Sequence, residues 1–321
     1  MRAPFLAQAF LRLSPAHRRL ILHRLGRFGP WETGFDFTPP PLPEGREAGP
    51  PDFVGIGAQK AGTTWWYDLI TTHPGVSAPD HLSKERHLLD RFANQAFDTA
   101  AAEEYPLWFP RRPGTITGEW TPDYATFPWA PELLHRVAPD ARLLMLVRDP
   151  IERFRSGLDH YRNLQQPVDG MVRANAVARG FYAKAIAQWT EVFGTDRLLV
   201  LQYERCVVDL EGQLARTFDH LGLTRYHVSR KEIPLRPSAG NRTPLDPDVV
   251  ERLAVLYRHD VDELCRLVPD LDLSLWPHFN RSGRTGSDPS SGPAMATPRG
   301  RQPGGASGSS VASESSPTAR P

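Results

Sequence analysis

The chain has 321 residues, of which 40% are hydrophobic and 23% are charged, and its formal net charge is +1. Such a chain can bury a core of ordinary α/β size, and its nearly balanced charge argues against a nucleic-acid-binding protein. Any anion site must therefore be a local cluster. Two cysteines, Cys206 and Cys265, are too few for a disulfide framework or a cysteine metal site and favour a reducing compartment.

The N-terminal segment, residues 1–50, is basic and ends in a proline-rich linker. Residues 1–29 hold six arginines and no acidic residue, and four prolines occur within 39–43. The segment has the character of a membrane-surface helix, of a transit peptide, or of a basic helix packed on the domain. No run reaches the ~18–20 apolar residues that span a bilayer, so we predict no transmembrane segment and, without a signal anchor, a cytoplasmic protein.

Short apolar strands alternate with helices through the next part of the chain. Strands are predicted at 52–57, 142–147 and 197–201, and helices at 63–73, 150–163, 208–221 and 247–268. This alternation indicates an α/β fold with a central parallel sheet covered on both faces. We place this domain at residues 51–280. Residues 281–321 contain no aromatic side chain, and we predict that this tail is disordered.

A glycine-containing loop follows the first strand and opens the first helix. Gly57 and Gly62 are five residues apart, with Lys60 between them and Thr63 and Thr64 after them. Backbone amides of such a loop, the helix dipole, an ammonium and two hydroxyls together favour a phosphate or sulfate. The loop thus predicts a P-loop-like anion site in a three-layer α/β/α domain.

The position of the lysine separates this loop from that of nucleotide triphosphatases. Those enzymes place lysine directly after the second glycine, where this chain has Thr63. Asp149 follows a strand, but it is as well suited to cap the next helix as to hold magnesium. We therefore expect no metal, which suits transfer of a sulfuryl group. A kinase or hydrolase with a variant loop remains the main alternative, and a degenerate nucleotide-binding module is the non-enzymatic one.

A second anion site is predicted at the end of the strand 142–147. Arg148 stands where ligands of open α/β sheets bind, and its guanidinium can hold a phosphate through two hydrogen bonds. Ser156 lies in the helix that follows, and Arg153 and Arg155 add positive charge nearby. The other possibility is that Arg148 pairs with a local carboxylate. Two separate anion sites indicate a nucleotide phosphorylated at two places.

These motifs resemble those of the sulfotransferase family, the heparan-sulfate type in particular. Residues 59–65 resemble the 5′-phosphosulfate loop, and residues 146–156 the 3′-phosphate motif. The stretches 84–89, 118–124, 200–204 and 218–223 are also similar to family segments, so the resemblance spans about residues 52–280. The donor implied is 3′-phosphoadenosine 5′-phosphosulfate, with the donor-binding residues Gln59, Lys60, Ala61, Gly62, Thr63, Thr64, Trp65, Arg148 and Ser156.

The resemblance also assigns catalytic roles. It makes Glu85 the general base. In an in-line displacement Lys60 would neutralise the leaving phosphate, and His87, whose side chain titrates nearest neutrality, is a rival base or a residue that shapes the site. The other interpretation of residues 84–86 is a solvated charge run. The acceptor implied is a hydroxyl or amine of a glycan, a lipid or a small molecule.

The chain departs from the family pattern at two places. Trp120 stands where the heparan-sulfate enzymes have a lysine, which puts a second catalytic lysine in doubt. The family's Lys-Gly-Arg element corresponds here to residues 238–242, in which the lysine is replaced. We expect Arg242 to contact the 5′-phosphate of the donor.

Overall fold

The structure is a computed structural model that describes residues 38–78, 83–93, 95–229 and 242–280. The described residues all belong to one compact unit. The basic segment 1–37 and the predicted tail 281–321 lie outside the described residues. Within the described ranges, no helix has the length and apolar character needed to cross a membrane.

The described residues form a sheet of four parallel strands. In chain order these are β1 (Phe53–Gly57), β2 (Gly118–Trp120), β3 (Arg142–Val147) and β4 (Leu198–Gln202), and they lie side by side in the order β2-β1-β3-β4. Phe53 of β1 pairs with Gly118 on one side and with Arg142 on the other. All five residues of β1 are buried, as expected for a central strand covered on both faces.

Nine α-helices surround this sheet in the part of the chain that the structure describes. They are α1 (Thr63–Thr71), α2 (Thr99–Glu104), α3 (Ala130–Val137), α4 (Pro150–Asn163), α5 (Gly170–Ala178), α6 (Tyr182–Phe193), α7 (Tyr203–Val208), α8 (Leu210–His220) and α9 (Pro247–Leu267). Short 3₁₀ helices occur at Asp90–Ala93, Tyr105–Trp108, Pro122–Thr126, Thr195–Arg197 and Leu273–Leu275.

The helices form a layer on each face of the sheet. Since β2 and β3 lie on opposite sides of β1, right-handed crossovers put α1 and α3 on opposite faces. On one face α1 packs against α8, where Trp66 Nε1 donates to Thr217 Oγ1 over 3.2 Å. On the other, α6 packs against α9, where the Tyr182 amide donates to Asp260 over 2.8 Å. The predicted three-layer α/β/α fold is confirmed.

The strand order locates a crevice for a ligand. After β1 the chain crosses to β2 on one side, and after β3 it crosses to β4 on the other. The loops that follow β1 and β3 therefore separate at adjacent strand ends. Ligands of open α/β sheets bind at such a point. Both predicted anion motifs, after Gly57 and after Val147, lie at this edge.

Candidate active site

The loop after β1 leaves the N-terminus of α1 open. Gly62 is the N-cap of α1 with a φ of 92°, and no side chain caps the helix. First-turn amides have no partner within a helix, so those of α1 are available to an anion. A Cβ at Gly62 would come within 2.6 Å of the Tyr203 ring, so glycine is required here for space as well as for its positive φ.

Two of the residues that we expect to bind the donor also have structural roles in and beside the loop. The Ala61 amide donates to the Ala58 carbonyl over 3.1 Å, so it is not free for a phosphate. The Trp65 side chain is only 4% exposed and packs edge-on against Trp66 and Tyr203. The ring is therefore part of the core, and Trp65 offers the site its backbone amide. The other predicted loop residues are half-buried Gln59, buried Thr63 and exposed Thr64.

Lys60 lies at the centre of the charged groups. Its backbone takes the left-handed conformation with a φ of 67°. Burial lowers the pKa of its ammonium, the nearby Glu85 carboxylate opposes that shift, and the cations of Arg148 and Lys84 add to it. None of the residues that the structure describes accepts a hydrogen bond from this ammonium. Lys60 is thus a half-buried cation whose pKa is affected by the charges of two other predicted residues, Glu85 and Arg148, from two separate segments.

Arg148 joins the second anion motif to the first loop. Its guanidinium donates to the Lys60 carbonyl over 3.3 Å and lies 4.8 Å from the centre of the Tyr203 ring. Its other nitrogen is 4.0 Å from Glu152 Oε2, so the local carboxylate that we considered as its partner is present. The guanidinium therefore spans the gap between the loop and α4, while Ser156 is half-buried two turns along α4.

Glu152 collects three arginines at the start of α4. Besides Arg148, Arg155 and Arg242 contact its Oε2, the latter at 3.3 Å. Arg242, expected at the 5′-phosphate, thus lies with Arg148 at the second motif; the neighbouring residues 238–241 are outside the described part of the chain. Arg153 is also elsewhere than expected, because it is fully buried and donates to the Ala176 carbonyl.

Asp149 is a helix cap. Its Oδ1 accepts the amides of Ile151 and Glu152 at 2.9 and 3.2 Å, and its Oδ2 accepts His278 Nδ1 at 3.0 Å. The side chain is completely buried. Both carboxylate oxygens are therefore engaged in holding the junction between β3 and α4. This favours Asp149 as a helix cap over Asp149 as the magnesium ligand that a kinase or hydrolase would require.

Glu85 is held between two cationic groups. Its Oε1 accepts the Lys84 ammonium at 2.6 Å, and its Oε2 is 3.4 Å from His87 Nε2. On the other side of the imidazole, His87 Nδ1 is 2.7 Å from Asp90 Oδ2. The His87 imidazole therefore links the carboxylates of Asp90 and Glu85 in one row of interacting side chains. The Glu85 side chain is about one-third exposed and the His87 side chain is buried, so of these three residues only Glu85 is open to an acceptor.

This arrangement sets the protonation states. Burial by itself would raise the pKa of Glu85, but the hydrogen bond to His87 and the Lys84 charge outweigh it and hold that pKa at about 2. Burial would likewise lower the pKa of His87, but its bonds to Asp90 and Glu85 raise it to about 9. At neutral pH, Glu85 is a carboxylate and His87 an imidazolium.

The segment 84–87 is attached to the end of β2. The Trp120 amide donates to the Lys84 carbonyl over 2.8 Å, and the Arg86 amide donates to Glu119 Oε2 over 3.1 Å. Thr121 Oγ1 accepts the amides of Arg86 and His87 at 3.0 and 3.3 Å and donates to Glu119 at 2.6 Å. These bonds explain why residues 118–124 carry a family-like pattern, since they position the segment that contains Glu85.

Trp120 does not stand in for the lysine of the heparan-sulfate pattern. Its ring is fully buried over Gly55, and its Nε1 donates to the Gly57 carbonyl over 3.0 Å. It stabilises the strand end from which the anion loop departs. It therefore contributes no cation to the site.

Sequence reasoning missed four residues of this site: Asp90, Lys84, Thr121 and Tyr203. Asp90 follows His87 by three residues, a spacing that a turn brings together, but the turn itself was not predicted. Tyr203 belongs to the family-like stretch 200–204, which was noted without a role. Its position between Gly62 and Arg148 required the tertiary structure.

Known proteins are similar to this chain in sequence and in fold. The sequence profile of the sulfotransferase family matches residues 51–227. Mouse heparan sulfate glucosamine 3-O-sulfotransferase 6 is 31% identical, over 65% of this chain and 69% of its own length. Human heparan sulfate glucosamine 3-O-sulfotransferase 3B1 is 29% identical, over 65% of this chain and 60% of its own.

The fold is similar to that of a solved sulfotransferase structure. The sulfotransferase from Alicyclobacillus acidocaldarius superposes with a TM-score of 0.57 at 21% identity, covering 70% of this chain and 98% of that one. The profile match covers more than half of the chain and includes both anion motifs and the Glu85 segment. The family expected from the sequence is therefore confirmed: this chain belongs to the sulfotransferase family.

Proposed function

We propose that this chain transfers a sulfuryl group from 3′-phosphoadenosine 5′-phosphosulfate to a glycan hydroxyl. Two anion motifs at one strand edge fit the two ends of this donor. Family membership supports sulfuryl transfer, and the similarity to two heparan sulfate glucosamine 3-O-sulfotransferases supports a sugar hydroxyl as acceptor. The chain spans 69% and 60% of those two relatives.

The observation that carries the proposal is the convergence of Lys60, Arg148 and Glu85. Arg148 donates to the Lys60 carbonyl, and the charges of both Arg148 and Glu85 affect the Lys60 ammonium. A non-enzymatic nucleotide-binding module would not require a carboxylate beside the donor loop. The arrangement supports assigning Lys60 as the leaving-group cation, Arg148 as the nucleotide anchor and Glu85 as the base.

The residues fit an in-line displacement. The amides of α1 and Lys60 would neutralise the phosphate from which the sulfuryl group departs. Arg148, Arg242 and Ser156 would hold the 3′-phosphate. Glu85 would accept the proton of the attacking hydroxyl, and His87 with Asp90 would keep its carboxylate oriented. A positioned base of this kind contributes about 100- to 10,000-fold in rate.

The test compares two site variants with one remote variant. Lys60→Ala and Glu85→Gln should each reduce transfer of labelled sulfate by at least about 100-fold. Only Lys60→Ala should strongly weaken binding of adenosine 3′,5′-bisphosphate in calorimetry. Lys184→Ala, at an exposed position on α6, is the control and should behave as the wild type. Full turnover by both site variants would reject the assignments.

The acceptor is tested separately. The wild-type chain is offered the labelled donor with a glucosamine-containing oligosaccharide, a hydroxylated lipid or a small phenol, and products are identified by mass spectrometry. We expect sulfation of the oligosaccharide. Sulfation of only the lipid or the phenol would retain the activity and overturn the acceptor class.

A further inference from the structure

The side chain of Lys84 has a position that the proposed mechanism does not yet use. The side chain is only 11% exposed, and its ammonium lies 2.6 Å from Glu85 Oε1 and 3.3 Å from the Trp120 carbonyl. Its own carbonyl accepts the Trp120 amide, so the backbone is fixed to β2. Lys84 is thus a well-held cation at the strand edge that carries both anion motifs.

Lys84 faces charged groups from both sides of the candidate site. Glu85 and His87 are on its own segment, and the Lys60 ammonium on the donor loop is close enough for Lys84 to lower its pKa. Asp68 on α1 is also affected by the Lys84 charge. Burial raises the pKa of the Asp68 carboxyl, and the Lys84 charge opposes that rise. The Lys84 ammonium therefore lies directly beside the proposed base and close enough to the proposed leaving-group cation for the two positive charges to interact.

We propose that Lys84 is a second catalytic cation that leaves Glu85 for the sulfuryl oxygens when the donor binds. The inference rests on the proposed function and adds a role to the same site. Of the lysines in the described ranges, only Lys60 and Lys84 are at this edge, because Lys184 is exposed on α6. Trp120 supplies no cation from β2, so Lys84 is the neighbouring group that can.

This movement would resolve a chemical conflict in the resting site. A carboxylate bonded to both Lys84 and His87 is a weak base, as the low pKa of Glu85 shows. The incoming sulfuryl group carries anionic oxygens that compete for the Lys84 ammonium. Once Lys84 has moved, Glu85 keeps one hydrogen-bond donor instead of two and regains basicity. The base thus becomes effective only when the donor is in place.

The step balances without a further reactant. The acceptor oxygen forms a bond to sulfur while the bond from sulfur to the bridging oxygen breaks, and its electron pair stays on the phosphate of adenosine 3′,5′-bisphosphate. The acceptor proton goes to Glu85. Lys84 remains protonated throughout and stabilises the charge on the sulfuryl oxygens.

The first test measures binding, where Glu85 basicity plays no part. Without acceptor, calorimetry compares the intact donor with adenosine 3′,5′-bisphosphate, which lacks the sulfuryl group. Lys84→Met should weaken binding of the intact donor about 10- to 100-fold, as expected for loss of a charge-assisted hydrogen bond, and should change bisphosphate binding less than threefold. Lys84→Arg should restore part of the difference, and Lys184→Met should match the wild type. Equal weakening of both ligands, or of neither, would overturn the proposal.

The second test separates a direct role from one exerted through Glu85. Single-turnover transfer is measured for Lys84→Met, for Glu85→Gln and for the double variant. If Lys84 contacts the sulfuryl group, the double variant should be at least tenfold slower than Glu85→Gln. Equal rates would mean that Lys84 acts only through Glu85 and would overturn the proposal. An inactive wild type would instead count against the proposed function.

Discussion

His87 divides its two ring nitrogens between Glu85 and Asp90, and this residue-scale arrangement makes folding stability depend on pH. The hydrogen bonds raise its pKa from 6.5 to about 9 in the folded chain. A raised pKa means that the folded state binds the proton more tightly than the unfolded state. The stabilisation is therefore complete below pH 6.5 and is lost as the pH rises through about 9.

This pH dependence gives a prediction for a single substitution. Between those two pH values the unfolding free energy of the wild type should fall by roughly 3 kcal/mol more than that of His87→Gln. This value follows from about 1.4 kcal/mol for each unit by which the pKa of His87 is raised. Denaturant unfolding across the range measures the difference. His259→Gln, at an exposed position on α9, should follow the wild type. Parallel curves for wild type and His87→Gln would contradict the arrangement.

Single residues were predictable from the sequence where a motif carried them. Glu85, Lys60 and Arg148 each stand in a local pattern whose chemistry can be read without a fold. Asp90 and Lys84 were missed because their roles depend on contacts that the fold creates. The turn after His87 brings Asp90 to the imidazole, and the end of β2 supplies the Trp120 carbonyl to the Lys84 ammonium. Ala61 and Trp65 were assigned by motif membership, whereas their roles follow from hydrogen bonding and burial.

At the scale of elements, the end of β2 positions the segment that contains Glu85. Thr121 accepts two backbone amides of that segment and donates to buried Glu119, which also accepts the Tyr105 and Tyr124 hydroxyls. Burial raises the pKa of Glu119, so a lost hydrogen bond would not be replaced cheaply by water. The orientation of Glu85 thus depends on a polar cluster that is itself buried.

A substitution at Thr121 tests this dependence. Thr121→Val keeps the shape of the side chain but leaves the His87 amide without its acceptor, which should cost about 1–3 kcal/mol of stability. Transfer should fall, while affinity for adenosine 3′,5′-bisphosphate should be unchanged because the anion loop is intact. Thr121→Ser retains the hydroxyl and should recover most of both losses. A Val variant with full transfer activity would show that this contact does not position Glu85.

The elements that the sequence predicted well are those with strong local signals. β3 and α4 have the predicted bounds because a continuous apolar run is followed by the Asp149 cap and Pro150. β2 was missed, since three residues containing a glutamate and a tryptophan carry no strand pattern. Its pairing with β1 depends on Gly118, where a Cβ would come within 2.1 Å of the Phe53 carbonyl, and such a contact cannot be read from sequence.

At the scale of the whole molecule, the strand order gives the two anion motifs their common function. Each motif was predictable alone, but the sequence did not show that β1 and β3 are neighbours. With β3 inserted beside β1, Arg148 reaches the Lys60 carbonyl although 88 residues separate them. One rigid sheet thereby fixes the distance between the groups that hold the two ends of the proposed donor.

The last prediction concerns the stability of the whole chain in the presence of nucleotides. A ligand at about 100 times its Kd stabilises the folded state by about 2.7 kcal/mol, and adenosine 3′,5′-bisphosphate should do so here. Adenosine 5′-monophosphate at the same concentration should stabilise less, because it leaves Arg148 without a phosphate. Arg148→Met should bring the effect of the bisphosphate closer to that of the monophosphate, since Arg242 and Ser156 remain, and should leave the monophosphate effect unchanged, as measured by thermal unfolding. Arg258→Met, exposed on α9, is the charge-matched control. If Arg148→Met weakened both nucleotides equally, Arg148 would not be the group that distinguishes the 3′-phosphate, and the proposed orientation of the donor across the β1–β3 crevice would be wrong.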